Sequence, residues 1–291
     1  MSDGQHNQSH TVLAALALVV SQFSNASGAA WSKSLFAAVG PEGMIALRIG
    51  FSAILLGVVT RAWRIRVGRD QIGNLLAYGL ALGLMSTVAY QAYARIPIGI
   101  VMAIETTGPL ALVIYYSRRR SDLAWLACTV AGLALLLFRG PVLASVDPVG
   151  VAFAFCSAVL WAGYIVFGKR VSALGGGNVV AVGMAIASLI VVPLGFARAG
   201  TTLLAEEWLV TGLAVAVLSS ALPFLVQIRA LRQLPSRVYS LIASGVPAVG
   251  AITAFLVLGE ALDLRQCLGI LLVMLASGGA VLGLSRSRSA G

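Results

Sequence analysis

Glu105 is a carboxylate set inside an apolar run, with Val101 to Ile104 before it and Thr106-Thr107-Gly108-Pro109-Leu110 after it. A charge at the middle of a membrane span costs about 2.5 to 3.5 kcal/mol on insertion scales, so it faces a partner or a wet cavity. Pro109 has no N–H to give the carbonyl four residues back, and that carbonyl belongs to Glu105. One turn therefore offers both a carboxylate and a freed backbone acceptor. Such a turn suits a substrate ammonium or a coupling proton; the alternative is a protonated glutamate tied to a neighbouring helix. Arg48 is the complementary cation, about 7.5 Å inside the outer end of its own apolar run at 1.5 Å per residue. A guanidinium binds a carboxylate bidentately, or it snorkels outward to the interface.

Aromatic and amide side chains supply the other candidates: Tyr78, Tyr90, Gln91 and Tyr93 in the third run, Trp161 and Tyr164 in the sixth, Gln227 in the eighth. Trp161 and Tyr164 stand three apart and share a helix face, where cavity lining and core packing are equal readings. Tyr239 and Ser240 are weaker candidates. Trp31, Trp63 and Trp208 near run ends suit an interfacial belt. Pro109, Pro223 and Pro247 are the expected helix breaks. Cys128, Cys156 and Cys267 fall within apolar runs and indicate no disulfide framework or ligand cluster. His6 and His10 sit in a polar tail, and no metal motif, nucleotide loop or hydrolase elbow is present.

The elements that hold these residues are membrane helices. Of the 291 residues, 59% are hydrophobic and only 10% charged, with a mean hydropathy of +0.95; an ordinary soluble domain is about 25% charged. Spans of roughly 20 residues cross a bilayer. The windows are 12–36, 43–60, 72–92, 98–116, 123–138, 148–168, 178–197, 208–228, 237–257 and 264–284. The runs are continuous rather than alternating, which excludes a β-barrel. The first window resembles a secretory signal, yet no Lys or Arg precedes it, and an uncleaved helix is expected.

Net charge is +10, and its distribution decides what it means. Arginines cluster in every second connection, at Arg61, Arg64, Arg66 and Arg69, at Arg118 to Arg120, and at Arg229, Arg232 and Arg237, whereas the intervening connections hold Lys33, Arg95, Arg139, Arg198 or Arg265 alone. The basic balance is thus membrane topology with both termini cytoplasmic, and no nucleic-acid partner is expected.

The spacing of Pro97 and Pro109 recurs half a chain later in Pro235 and Pro247. Trp31-Ser32-Lys33 likewise recurs as Phe167-Gly168-Lys169. Five windows precede the gap at 139–147 and five follow it, so repeats at 1–139 and 140–291 enter the membrane from opposite sides. Inverted repeats around a midplane site are the build of a secondary transporter. Glycines within the windows read as close helix packing, and Gly175-Gly176-Gly177 as a turn.

Lys33-Ser34-Leu35-Phe36, Ala46-Leu47-Arg48, Glu105 to Pro109, Ser117-Arg118-Arg119, Ala221-Leu222-Pro223 and Leu258-Gly259-Glu260 resemble the ten-helix drug/metabolite transporter superfamily, EamA type. Within it the chain is most similar to bacterial amino-acid exporters of the threonine/homoserine type. The resemblance implies a monomeric inner-membrane exporter that takes an amino-acid substrate, sits in lipid, works without a cofactor and is not an enzyme. One departure is visible: that type tends to carry a glutamate before the second repeat's proline, and here Val246 precedes Pro247. A broader range of neutral, hydrophobic and aromatic amino acids follows as an expectation. The rivals are a multidrug or metabolite exporter, an integral membrane enzyme and a channel.

Overall fold

The computed structural model describes residues 2–117, 120–137, 147–171, 174–223, 226, 242 and 245–288. The described residues contain helices and turns and no strand. This is the secondary structure open to a chain that must satisfy its backbone within each segment in lipid. In chain order the helices are α1 (Ser2–Ser34), α2 (Phe36–Thr60), α3 (Arg69–Tyr93), α4 (Ile98–Glu105), α5 (Thr107–Ser117) and α6 (Arg120–Leu137). They continue with α7 (Pro148–Val171), α8 (Gly176–Ala199), α9 (Glu206–Ala216), α10 (Val246–Leu258) and α11 (Leu264–Arg288).

Among the described residues, five segments are long and apolar enough to cross a membrane: Leu13–Ser34, Phe36–Thr60, Arg69–Tyr93, Pro148–Val171 and Gly177–Leu204. Ile98–Leu112, Ala124–Leu136, Val246–Leu258 and Leu264–Gly279 are shorter apolar helices. Breaks account for part of the shortening. The fourth window is interrupted at Thr106, between α4 and α5. The eighth passes from α9 into a π-helical turn at Val217–Ala221. Residues 37–42, expected as a connection, are taken into α2 but kinked at Gly40, whose φ of 70° leaves the helix just before Pro41.

Helix packing follows a paired pattern. α2 lies along α8, α6 along α11 and α4 on α10. α3 packs on α7 and α8, and correspondingly the π turn packs on α1 and α9 on α2. α1 meets α10, just as α7 meets α4 and α5. Exchanging α1 with α7, α2 with α8, α3 with α9 and the π turn, α4 and α5 with α10, and α6 with α11 turns this set of contacts into itself. The α6–α11 crossing gives the pattern atomic form. A Cβ on Gly132 would stand 2.8 Å from the Gly269 carbonyl, and one on Gly269 would stand 2.7 Å from the Gly132 carbonyl. Small residues at such crossings let membrane helices approach backbone to backbone.

The buried core centres on Ile98 to Ile104 of α4, Met44 to Ile49 of α2, and Tyr90 of α3. Apolar side chains on the outer surface, such as Val159, Leu189 and Leu256, are more than two-thirds exposed. An apolar exterior around a packed interior is what lipid as a solvent selects.

Candidate functional site

Glu105 ends α4, next to the break at Thr106. The break follows from Pro109, which leaves the Glu105 carbonyl without its helical donor. The carboxylate accepts hydrogen bonds from the Ser157 hydroxyl of α7 and from the Tyr93 hydroxyl of α3 at 3.5 Å. Ser157 Oγ also lies 3.4 Å from the Met85 carbonyl, and the Ser157 side chain is wholly buried.

Arg48 projects from α2 into a second set of partners. Its Nε donates to Ser220 Oγ at 3.0 Å, its Nη1 to Tyr90 Oη at 3.2 Å, and its Nη2 to the Ser219 carbonyl at 3.3 Å. The guanidinium also rests 5.5 Å from the Tyr90 ring centroid, a cation–π distance. Tyr90 in turn donates to Ser32 Oγ at 3.1 Å. The Ser219 carbonyl is available for a physical reason: Pro223 stands four residues later and cannot donate to it. The π turn at Val217–Ala221 is the local consequence, and single π turns are often found at functional sites.

The two sets meet through aromatic rings, since Tyr90 and Tyr93 lie 5.8 Å apart between centroids. A cation and an anion thus face one buried region, both half-buried. Among the described residues neither forms an ion pair. Glu105 is held by two hydroxyls, and Arg48 by two hydroxyls and a backbone carbonyl. Such groups satisfy a charge without neutralising it.

The remaining candidates are placed elsewhere. Tyr78 and Tyr164 stack at 4.8 Å and share a hydrogen bond at 3.1 Å between their hydroxyls. Tyr164 stands seven residues beyond Ser157 on α7, about 10 Å at 1.5 Å per residue, so this pair lies about two helical turns from the Glu105 carboxylate. Trp161 lies one turn from Ser157 and one turn from Tyr164 on the same face of α7, between the two levels. Gln91 accepts from Arg95 Nη1 at 3.0 Å near the end of α3, outside the Arg48 cluster. Pro247 opens α10 at its first turn, where a missing N–H costs no helical bond. Gln227, Tyr239 and Ser240 lie outside the described residues.

Ser157, Ser219 and Ser220 are not among the sequence candidates, and Ser32 is only part of the Trp31-Ser32-Lys33 recurrence. Ser219 had a signal, its place four residues before Pro223. The others had none, because serines are common in membrane helices and the contacts join distant segments.

The EamA-like transporter family model matches residues 148–282. The threonine/homoserine exporter RhtA of Salmonella typhimurium (strain LT2) is 40% identical over 271 residues, covering 93% of this chain and 92% of that protein. RhtA of Escherichia coli (strain K12) is 39% identical over 265 residues, with 91% and 90% covered. A solved crystal structure at 18% identity superposes with a TM-score of 0.61 over 96% of this chain and 99% of that one, a likeness of fold. With a helical membrane bundle, an apolar exterior and curated relatives matched along nearly their whole length, the chain belongs to the EamA-like transporter family, a family of transporters rather than enzymes.

Proposed function

We propose that the protein exports amino acids across a bacterial inner membrane by alternating access of two inverted five-helix repeats, residues 1–139 and 140–291, with both termini cytoplasmic. The observation that carries this reading is the separation of Arg48 and Glu105. Both are half-buried, each is held by neutral groups, and two tyrosine rings lie between them. An amino acid carries its own carboxylate and ammonium. Arg48 is assigned the carboxylate and Glu105 the ammonium or, when the site is empty, a coupling proton. Relatives named threonine/homoserine exporter support the substrate class, and the paired helix packing supports the repeat.

In this reading Trp161 and the Tyr78–Tyr164 pair act on the side chain of the cargo and on its path, and Gln91 and Gln227 are pathway residues. Pro109, Pro223 and Pro247 provide the breaks at which helices bend. The unit is a monomer, and no cofactor takes part. Backbone exposed by broken helices lining a cavity is the usual way such bundles hold polar cargo in lipid.

The test is flux of a panel of labelled amino acids in proteoliposomes, with and without a pH gradient. Threonine, homoserine and a set of neutral and aromatic amino acids are expected to move. Glu105→Gln is expected to lower their flux while leaving the yield of folded protein unchanged. Unaltered flux in that variant would remove Glu105 from the mechanism. Drug tolerance in cells without amino-acid flux would favour the multidrug reading instead.

A further inference from the structure

Lys33, in the last turn of α1, and Glu260, just past α10, form an ion pair at 2.5 Å, with side chains 19% and 17% exposed. The sequence brings Glu260 there through its neighbour. Gly259 stops α10 in the left-handed region, at φ 68°, which a side chain disfavours. The chain reverses: the Gly259 N–H returns to the Phe255 carbonyl at 3.0 Å and the Glu260 N–H to the Ala254 carbonyl at 3.3 Å. This is a helix-ending motif that relieves the unsatisfied last carbonyls.

Each partner also holds a third segment. The Ile98 N–H, in the first turn of α4, donates to Glu260 Oε2 at 3.0 Å. Pro97 ahead of it gives no side-chain cap, so Glu260 supplies the anion that a helix N-terminus favours. Lys33 Nζ donates to the Ile96 carbonyl at 3.0 Å. One carboxylate and one ammonium therefore join the ends of α1, α3, α4 and α10. A weaker pair stands at the same face, Arg95 with Asp147 at 3.6 Å, where Asp147 also accepts from the Val149 N–H of α7 at 2.9 Å.

α4 is eight residues long, a stiff rod with Ile98 at one end and Glu105 at the other. Whatever holds Ile98 fixes the position of Glu105 about 10 Å away at 1.5 Å per residue. The joined ends come from both halves of the chain. Alternating access moves such halves against one another around the central site. The pair keeps under a fifth of each side chain open to solvent, so water reaches both partners only as the joined ends separate.

Resting on the transport reading above, we propose that Lys33 and Glu260 form a releasable latch that closes the face opposite the arginine-rich loops and, through α4, positions Glu105 against Ser157 and Tyr93. Both are positioning residues and do not touch the cargo. Each cycle opens and reforms the latch.

The experiment places Lys33→Cys with Glu260→Cys in a background where Cys128, Cys156 and Cys267 are serine. A bis-methanethiosulfonate linker joins the two thiols, and labelled threonine flux is read in proteoliposomes before linking, after linking and after dithiothreitol. Linking is expected to lower flux by about tenfold or more, the effect of holding one state of a two-state cycle, and the reductant is expected to restore it. Single-cysteine variants are expected to ignore the reagent. Unchanged flux in linked protein would make the pair a static strut and overturn the proposal. Failure of the linker to join the positions would overturn it too, because the ends would not meet. Ser34→Cys with Ala261→Cys leaves both latch residues in place and carries the same expectation should the first pair fold poorly. If the unlinked, wild-type protein moves no amino acid of the panel, the transport reading fails; flux in the wild type with unaltered flux after linking fails the latch alone.

Discussion

At the scale of single residues, the informative fact about Arg48 is the chemistry of its partners. Three nitrogens reach a serine hydroxyl, a tyrosine hydroxyl and a backbone carbonyl, none of which cancels the charge. Lysine in its place keeps the charge but loses the planar fork that holds several acceptors together. Arg48→Lys is therefore expected to raise KM for the cargo by roughly ten- to a hundredfold, the loss of one or two charge-assisted hydrogen bonds. Maximal flux should change less, because the interaction is made in the bound state before the halves move. Initial-rate flux across a concentration series separates the two parameters. An unchanged KM would leave Arg48 a structural cation.

Among the elements, the segment Val217–Ala221 is the one whose irregularity has a chemical use. Pro223 withholds an N–H, the turn widens to π geometry, and the Ser219 carbonyl turns to Arg48. Pro223→Ala restores the missing donor, so the carbonyl can return to its own helix. The variant is expected to melt no lower than the parent and to bind cargo more weakly by several-fold, a change of about 1 kcal/mol for one shared hydrogen bond. Thermal unfolding in detergent and flux KM read the two halves of that expectation. A purely structural proline would give a change in melting with KM untouched. The break at Thr106 follows the same rule on the other side of the site, where Pro109 frees the Glu105 carbonyl and α4 ends.

For the molecule as a whole, the distribution of basic residues and the exchange pattern of helix contacts lead to one arrangement. Arg61, Arg64, Arg66 and Arg69 join the ends of α2 and α3 that lie opposite the ends next to Lys33 and Arg95, where Glu260 also sits. Cysteine introduced at Gly68, in the connection between α2 and α3, is expected to react with an impermeant maleimide in inverted vesicles and not in intact cells. Cysteine at Ala261 is expected to do the reverse. Labelling of both from one side would refute the proposed inverted arrangement, in which five crossings per half change the side from which the second half starts.

The lipid solvent, the helical class and the presence of a carboxylate within an apolar run are all legible in the residues alone. Composition alone removes the option of a soluble fold, and a lone charge within an apolar run identifies itself by its cost. Pro109 and Pro223 also announced which carbonyls would lose their donors, because that rule acts within five residues of chain. What those groups meet follows from the packing of the helices. Ser157 reaches Glu105, Ser219 reaches Arg48 and Glu260 reaches both Lys33 and Ile98 across long stretches of sequence. It also separated Tyr78 and Tyr164 from the Arg48 cluster, although a count of aromatics places them together. Local rules fix what each segment can offer; the packing of helices, set by small residues and crossing geometry, fixes which offers are met.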